Sequence, residues 1–315
     1  MNLINIAVFF FLSFLQVAYL FLAKKFNIVD RPNERSAHQE LTIRGIGIVI
    51  LFAGLLTYFI SGLNPYFTLG LFFIGSISFL DDIFTLSNRL RILFHFVGIA
   101  LLLYQVLGDE ALGLYALPLA VLSVGVINAF NFMDGINGIT GLYGVVALLS
   151  ALFVNYFYGH FIELELIYNV LIGLFIFLFL NFRKRAVGFG GDVGSISLAF
   201  IVLFVLYKMI FGLDNWKYLF LISLYGLDTV YTILYRLSIR ENIFKAHKLH
   251  FFQILVHDYK WKHLPVSLLY AGVQLLLNCW VFSFEMDQWL FYLPFCLILF
   301  VMHSYRFRVQ KAVLS

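Results

Sequence analysis

Acidic and amide side chains stand in two clusters at the ends of apolar runs. Asp81 and Asp82 are adjacent, while the segment NAFNFMDGING carries Asn128, Asn131 and Asp134 at i, i+3, i+6 spacing along roughly one side of a helix. Adjacent helical residues point about 100° apart, so the two carboxylates are expected to differ in role. Ionisable groups next to apolar segments are costly unless they are paired, hydrated or bound to a metal, which makes these residues candidates for function.

A glycine-rich stretch, GFGGDVGSIS at 188–197, places Asp192 at the start of another apolar run. No Lys follows its glycines and no strand precedes it, which excludes a P-loop and a dinucleotide-binding fingerprint. The pattern Gly-Asp-x-Gly-Ser offers a carboxylate and open backbone N–H groups at a helix start, where an anion can bind. This combination is typical of Mg²⁺ held by one or two carboxylates together with substrate phosphates.

A third set of polar residues lies in the segment 237–264. Arg240 precedes FKAHKLHFFQ, in which His247 and His250 stand at i, i+3. An amphipathic interfacial segment is one alternative for this region. A zinc site is a weaker one, because no third His or Cys ligand stands nearby. The density of cationic and donor groups favours phosphate binding.

Structural alternatives remain open for the other clusters. The two adjacent carboxylates could form a solvated helix end beside Arg89 and Arg91. The amides could be buried polar groups that tie helices together, and the glycine-rich stretch could be a flexible turn with an exposed Asp. Topology is what distinguishes these alternatives, because it decides whether the clusters meet.

Composition identifies an all-α, polytopic integral membrane protein. The 315 residues are 62% hydrophobic and 12% charged, with a mean hydropathy of +0.94, which leaves too little polar surface to cover a globule. A transmembrane helix needs roughly 20 apolar residues. About eleven transmembrane helices are predicted, at 3–22, 44–61, 66–80, 91–107, 112–130, 138–158, 166–182, 193–211, 217–236, 265–283 and 288–304.

The distribution of basic residues predicts the orientation of these spans. With the N-terminus outside and the C-terminus cytoplasmic, all of the 21 basic residues except Lys208 and Lys217 face the cytoplasm. The first span lacks a cleavage site and is expected to be retained. We therefore predict a single transmembrane domain, 1–315, whose polar clusters all lie in cytoplasmic loops. These loops are 23–43, 81–90, 131–138, 183–192 and 237–264.

Taken in order, these motifs resemble those of the polyprenyl-phosphate N-acetylhexosamine-1-phosphate transferases, of the glycosyltransferase family 4 type. The resemblance extends to DRPNERSAH at 30–38 and to the Arg44-Gly45 pair, so it covers nearly the whole chain. The stretch AHKLHFFQ at 246–253 looks most like the O-antigen-initiating branch of that family. Two positions depart from the family pattern: Asn137 stands where many members have a second Asp, and Ile46 interrupts a glycine turn.

The resemblance implies a reaction and a set of roles. A UDP-N-acetyl-hexosamine and undecaprenyl phosphate would give undecaprenyl-diphospho-sugar and UMP, with Mg²⁺ or Mn²⁺ as cofactor, at the cytoplasmic side of a bacterial inner membrane. Asp192 would bind the metal, and Asp81 or Asp82 would deprotonate or position the lipid phosphate. The residues expected to contact the substrates are Asn128, Asn131, Asp134, Arg240, His247 and His250. A homodimer and contacts with membrane lipids are further expectations, and nucleic acid is not an expected partner.

Three rival classes fit the polar clusters less well. A secondary transporter would place polar groups near the bilayer midplane. A membrane prenyltransferase would carry Asp-Asp-x-x-Asp, whereas position 85 is Thr85. A purely structural membrane protein would have no need of Gly-Asp-x-Gly-Ser. No pattern in the sequence selects among GlcNAc, GalNAc, FucNAc and QuiNAc.

Overall fold

The computed structural model describes residues 3–30, 42–84, 86–109, 113–243, 245 and 247–314, with side chains described as far as Arg306. The α-helices in these residues are α1 (Leu3–Lys25), α2 (Ile48–Ser61), α3 (Pro65–Phe84), α4 (Asn88–Leu107), α5 (Ala116–Met133), α6 (Ile139–Phe157), α7 (Leu164–Asn181), α8 (Gly191–Leu213), α9 (Ser223–Ser238), α10 (Phe251–His257), α11 (His263–Ser283) and α12 (Leu293–Leu314). Short 3₁₀ helices, Trp216–Ile222 and Trp289–Tyr292, precede α9 and α12. The strands β1 (Val29–Asp30) and β2 (Thr42–Ile43) form an antiparallel pair.

The prediction of an all-α polytopic membrane protein is confirmed. Over the described residues, ten helical segments are long and apolar enough to cross a membrane. The prediction of about eleven spans differs in one element: the run 44–61 forms the 14-residue α2. At a rise of 1.5 Å per residue α2 is about 21 Å long, shorter than a hydrocarbon core of about 30 Å.

Although α2 is short, it connects the two ends of the helix bundle. At its first end, Gly47 donates a backbone hydrogen bond to the carbonyl of Gly190 (3.1 Å). Just beyond its last turn, the Asn64 amide donates to Glu163, which precedes α7 (3.1 Å). At the same far end, Gln105 of α4 accepts from the backbone N–H of Tyr66 (2.9 Å). The helices therefore alternate in direction through α2 as the sequence predicts.

The helix at the centre of the bundle is α8. Every residue from Val193 to Tyr207 is buried, because α8 packs against α2, α3, α4, α5 and α6. Its sequence is apolar on all sides, which is typical of a helix enclosed by other helices. The ring of Phe67 in α3 stacks on Phe204 with centroids 4.1 Å apart. Since Asp81 and Asp82 lie in the last turn of α3 and Asp192 lies in the first turn of α8, the packing of α3 against α8 brings the two motifs together.

A short backbone ladder joins the Arg44 turn to the glycine-rich stretch. The N–H of Phe189 donates to Ile43 (2.8 Å) and the N–H of Ile46 donates to Phe189 (3.0 Å). The hydroxyl of Tyr19 in α1 donates to the carbonyl of Arg44 (2.6 Å). Ile46, the departure from the glycine turn, is fully buried. The first cytoplasmic loop predicted from the sequence is therefore attached, at its end, to the start of α8.

Two glycines allow α2 and α8 to approach at the backbone level. A Cβ atom on Gly47 would lie 2.4 Å from the Cα of Gly194 and 2.7 Å from the carbonyl oxygen of Gly190. These contacts are too short for carbon atoms, and both neighbours are backbone. The starts of the two helices can therefore meet only while position 47 lacks a side chain.

We predict that Gly47→Ala lowers the free energy of unfolding by about 1–3 kcal/mol, because the added methyl group forces two backbones apart. Thermal unfolding in detergent would measure this. Gly272→Ala in α11 is the matched control, since a Cβ there meets no atom within 4 Å. Equal melting temperatures for the two variants would contradict the close approach.

Candidate active site

The carboxylate of Asp82, in the last turn of α3, binds the first turn of α8. It accepts the backbone N–H of Asp192 at 2.9 Å and that of Val193 at 3.0 Å. The first N–H groups of a helix have no partner within the helix, and a negative charge there is favoured by the helix dipole. Asp82 therefore caps α8 from a different helix. Its side chain is fully buried, which separates it from solvent.

Two arginines connect three carboxylates at this point. Arg44 Nε lies 2.8 Å from Asp82 Oδ1, and its Nη2 lies 3.9 Å from Asp192 Oδ1. Arg91 Nη1 lies 2.5 Å from Asp81 Oδ2 and 3.5 Å from Asp192 Oδ2. The three Asp residues come together as the topology predicts, and Asp192 is the one that both arginines share.

A cavity of about 320 Å³ opens beside this cluster. The Asp192 side chain is 20% exposed, more than that of Asp81 or Asp82, and the Asn131 amide donates to its Oδ1 (3.1 Å). The cavity combines charged and neutral hydrogen-bonding groups. The lining residues are Asp30, Arg44, Asn131, Asp134, Gly135, Ile136, Asn137, Asn181, Phe189, Gly190, Gly191, Asp192, Gln253, His257 and His263.

Asp134, in the turn that follows α5, has an unusual environment for a carboxylate. Burial raises its pKa to about 6, and the charge of Asp192 adds to this. The Cβ position of Gly190 is only 2.8 Å from Asp134 Oδ2. The glycine at 190 thus leaves room for this carboxylate at the cavity wall.

Two asparagines hold the walls of the cavity together. Asn181 accepts the N–H of Gly138 (2.7 Å) and donates to the carbonyl of Gly188 (2.9 Å). Asn137 donates its amide N–H to the carbonyl of Arg183 (2.7 Å). A carboxylate at position 137 would lack that donor. The departure from the family pattern at Asn137 therefore has a structural consequence, a bond between two cytoplasmic loops of the predicted topology.

The seven-residue helix α10 forms the remaining wall. Gln253 and His257 line the cavity, while Phe251 and Leu255 line a separate apolar groove of about 350 Å³. Burial lowers the pKa of His257, and the charge of Lys248 contributes. The imidazole of His257 is therefore neutral near pH 7, able to donate one hydrogen bond and accept another.

Two residues predicted to bind substrate do not line the cavity. Asn128 is exposed on α5, one turn before Asn131. Arg240 is also exposed, in a left-handed backbone conformation with φ of 58° just after α9. The i, i+3 spacing brought only the second and third members of the Asn128 cluster to the cavity, because α5 ends at Met133 and the chain turns inward there.

The two predicted histidines lie behind the cavity wall. His247 is half-buried and accepts the N–H of Leu249 (3.2 Å); burial, with His250 and Arg236 nearby, lowers its pKa to about 4. His250 is 3% exposed, with Nδ1 3.4 Å from Asp228 Oδ1. Neither imidazole lines the cavity, and His247 carries no positive charge at neutral pH. The predicted motif residues 31–38, Thr85 and Ala246 lie outside the described residues.

Several residues at the site are not among the site residues predicted from the sequence. Arg44 appears there only in the motif of the resemblance, and Arg91 only as a neighbour of the Asp81-Asp82 pair. Asn181, at the end of an apolar run, carries no signal of its own. Gln253 and His257 carry a usable signal, because i, i+4 polar residues alternate with the apolar Phe251 and Leu255 on opposite sides of a helix. That period is hard to recognise over only seven residues.

The donor set at the cavity suits a hard cation bound together with a substrate. In the part of the chain that the structure describes, no three His, Cys, Asp or Glu side chains form a closed metal cage. Mg²⁺ does not require one, since it usually binds one or two carboxylates, substrate phosphates and water. Asp192 and Asp134 supply carboxylate oxygens at the same cavity.

Comparison with known proteins supports the relationship suggested by the motifs. Residues 64–210 match the model of "Glycosyl transferase family 4". An undecaprenyl-phosphate alpha-N-acetylglucosaminyl 1-phosphate transferase of Escherichia coli (strain K12) is 28% identical over 209 residues, covering 59% of this chain and 56% of the relative. The protein of the same name from Yersinia pestis is 29% identical over 232 residues, covering 65% and 63%.

The matched region contains the Asp81-Asp82 pair, the Asn131 to Asp134 turn and Asp192, the residues that the fold brings together. This match and these relatives support the resemblance of the chain to the polyprenyl-phosphate N-acetylhexosamine-1-phosphate transferases. Each of these alignments covers less than two thirds of the relative's length.

We predict that Asp82→Ala lowers the free energy of unfolding by about 2–4 kcal/mol, because it removes the cap of α8 and leaves Arg44 without its closest partner. The melting temperature in detergent would report this. Asp109→Ala is the control, as Asp109 is exposed at the opposite end of the bundle. An unchanged melting temperature together with lost activity would assign Asp82 to substrate instead of to the fold.

Proposed function

We propose that this protein transfers N-acetyl-hexosamine-1-phosphate from a UDP-sugar to undecaprenyl phosphate. The observation that carries the proposal is the junction of Asp81, Asp82 and Asp192 with two arginines at one end of a polar cavity. The products would be undecaprenyl-diphospho-sugar and UMP. The names of the relatives support a sugar-1-phosphate transferase with an undecaprenyl phosphate acceptor.

The lining of the cavity contains two kinds of groups. Asp192 and Arg44 are charged groups suited to a diphosphate. Asn137, Gln253 and His257 are neutral donors and acceptors, suited to hydroxyl and amide groups of a nucleotide sugar. Neutral hydrogen-bonding groups discriminate well between ligands, because a partner left without its bond is penalised. We assign the diphosphate to Asp192 and Arg44.

The chemistry requires alignment more than covalent catalysis. An oxygen of the acceptor phosphate would attack the β-phosphorus of the UDP-sugar, and the bond from that phosphorus to the oxygen of UMP would break, with UMP leaving with the bonding electrons. Asp192 would hold Mg²⁺ or Mn²⁺, which when bound neutralises charge on the diphosphate. We favour this direct attack over a covalent intermediate on an Asp residue.

The arginines would supply the remaining positive charge. Arg91 reaches both Asp81 and Asp192, and its side chain is 36% exposed. A phosphate arriving beside Asp192 could therefore take the guanidinium as a partner while Asp81 keeps it oriented. On this proposal Asp81 acts on the lipid phosphate by positioning Arg91, and Asp82 acts by positioning Arg44 and α8.

The setting of the reaction is also a proposal. The positive residues next to the polar loops favour a cytoplasmic active site in a bacterial inner membrane. The relatives named above favour GlcNAc as the first sugar to test, with GalNAc, FucNAc and QuiNAc as competitors. The branch of the family that the 246–253 stretch resembles favours the first membrane step of O-antigen or related surface polysaccharide synthesis.

We predict that Asp192→Asn abolishes transfer of radiolabel from UDP-GlcNAc to an organic-soluble lipid, with loss of UMP release, while the melting temperature changes little. The substitution keeps the size of the side chain and removes the charge that would hold the cation. Asp109→Asn is the matched control and should retain activity. Turnover by Asp192→Asn at the wild-type rate would contradict the metal assignment, and an inactive wild type with every UDP-sugar would contradict the transferase.

We predict that single cysteines at exposed positions report a cytoplasmic site. With Cys279 and Cys296 replaced by Ser, Lys184→Cys should react with a membrane-impermeant maleimide only after the cells are opened. Asp109→Cys should react with the same maleimide in cells whose inner membrane is intact and whose outer layers have been made permeable. The reverse pattern would place the cavity outside, where UDP-sugars are not made.

A further inference from the structure

A buried carboxylate outside the cavity binds the start of α10. Asp228 of α9 is 0% exposed. The backbone N–H of Phe251 donates to both of its oxygens, at 2.9 and 3.1 Å. The hydroxyl of Tyr270 in α11 donates to Oδ2 (2.7 Å), and that of Thr232 donates to Oδ1 (3.2 Å). A carboxylate enclosed in this way joins α9, α10 and α11 at one point.

The helix that Asp228 binds is too short to be stable without its surroundings. Isolated helices shorter than about 12 residues are marginal in water, and α10 has seven. Its apolar residues Phe251, Phe252, Ile254 and Leu255 are buried, and two of them, Phe251 and Leu255, also border the groove of about 350 Å³ between α9, α11 and α12. Apolar packing is not directional, so the polar contacts at the first residue of α10 add a fixed orientation to it.

A second polar contact, from Arg306 of α12, lies next to the start of α10. Arg306 is buried, stacks over the rings of Tyr231 and Tyr235 at 4.8 and 4.4 Å, and donates to Thr232 (3.1 Å). The same guanidinium donates to the carbonyl of Leu249, two residues before α10. Arg306 of α12 thus binds the carbonyl of Leu249, and Asp228 of α9 binds the N–H of Phe251. The two side chains together hold the chain where it enters α10.

The orientation set at the start of α10 passes to the cavity through Gln253. The backbone N–H of His250 donates to Gln253 Oε1 (3.2 Å), so the amide oxygen is engaged at the helix start. The NH₂ group of the same amide is then the part left for the cavity that Gln253 lines. One turn later His257 lines the same cavity. Their directions are set by how α10 is rotated about its axis.

We propose that Asp228 is a positioning residue, which fixes the rotation of α10 so that Gln253 and His257 face the nucleotide sugar. The identity of the ligand rests on the proposed function. The claim that Asp228 fixes the rotation of α10 does not. His250, on this proposal, acts as part of the anchor with Asp228 and does not touch phosphate. Asp228 belongs to none of the motifs found in the sequence, although a carboxylate within an apolar span is costly unless it is paired and is therefore a usable signal.

Asp228→Asn tests the proposal, because it removes the negative charge and replaces one acceptor oxygen by an NH₂ group, so that Phe251 and Tyr270 can no longer both donate as they do to the carboxylate. We expect the KM for the UDP-sugar to rise at least tenfold with kcat changed less than threefold, as expected when ground-state contacts are lost. Hydrogen–deuterium exchange of the peptide 249–257, which needs no substrate, should be at least tenfold faster. Tyr270→Phe removes one donor only and should give a smaller change in the same direction.

Asp258→Asn is the matched control, since Asp258 is exposed at the other end of α10 and should leave KM and exchange unchanged. Wild-type KM and exchange in Asp228→Asn would overturn the proposal. So would faster exchange over the whole chain with an unchanged KM, which would mean a general structural role. If no UDP-sugar is a substrate for the wild type, the proposed function fails, and the exchange measurement still decides whether Asp228 anchors α10.

Discussion

The capping of α8 by Asp82 is the interaction on which the site depends. A fully buried carboxylate from α3 takes two N–H groups at the start of α8 and pairs with Arg44 from the turn before α2. Removing a charge from water is costly, and the cost is offset here because the charge meets two backbone donors, a guanidinium and the positive end of a helix. The position of Asp192 follows from that arrangement, since its own N–H is one of the two donors.

Close packing makes this arrangement possible. The glycine at 47 lets α2 touch α8, and the glycine at 190 leaves space for Asp134. The Phe67–Phe204 stack fixes α3 against α8 farther along the bundle. Polar residues that are far apart in the chain can therefore share one cavity. The charged groups there form ion pairs with one another, because an unpaired charge in an apolar environment is costly.

Much of the fold and part of the site could be predicted from the sequence, for physical reasons. Apolar runs and the distribution of Lys and Arg reflect the bilayer itself, so the helices and their alternation were predictable. Asp81, Asp82, Asp192, Asn131 and Asp134 meet because alternating spans deliver their ends to one side. Asn128, Arg240, His247 and His250 do not reach the cavity. Their places depend on the ends of α5 and α9 and on the rotation of α10, which are tertiary details that no residue pattern encodes.

The thin wall made by α10 has a consequence for control of the protein. One side of it borders the polar cavity and the other borders the apolar groove, where Leu297 and Val301 of α12 are partly exposed on the outer surface of the bundle. A small apolar molecule bound in that groove would contact α10 on the side opposite to the polar cavity. A compound that enters from the membrane could therefore act on α10 without occupying the polar cavity.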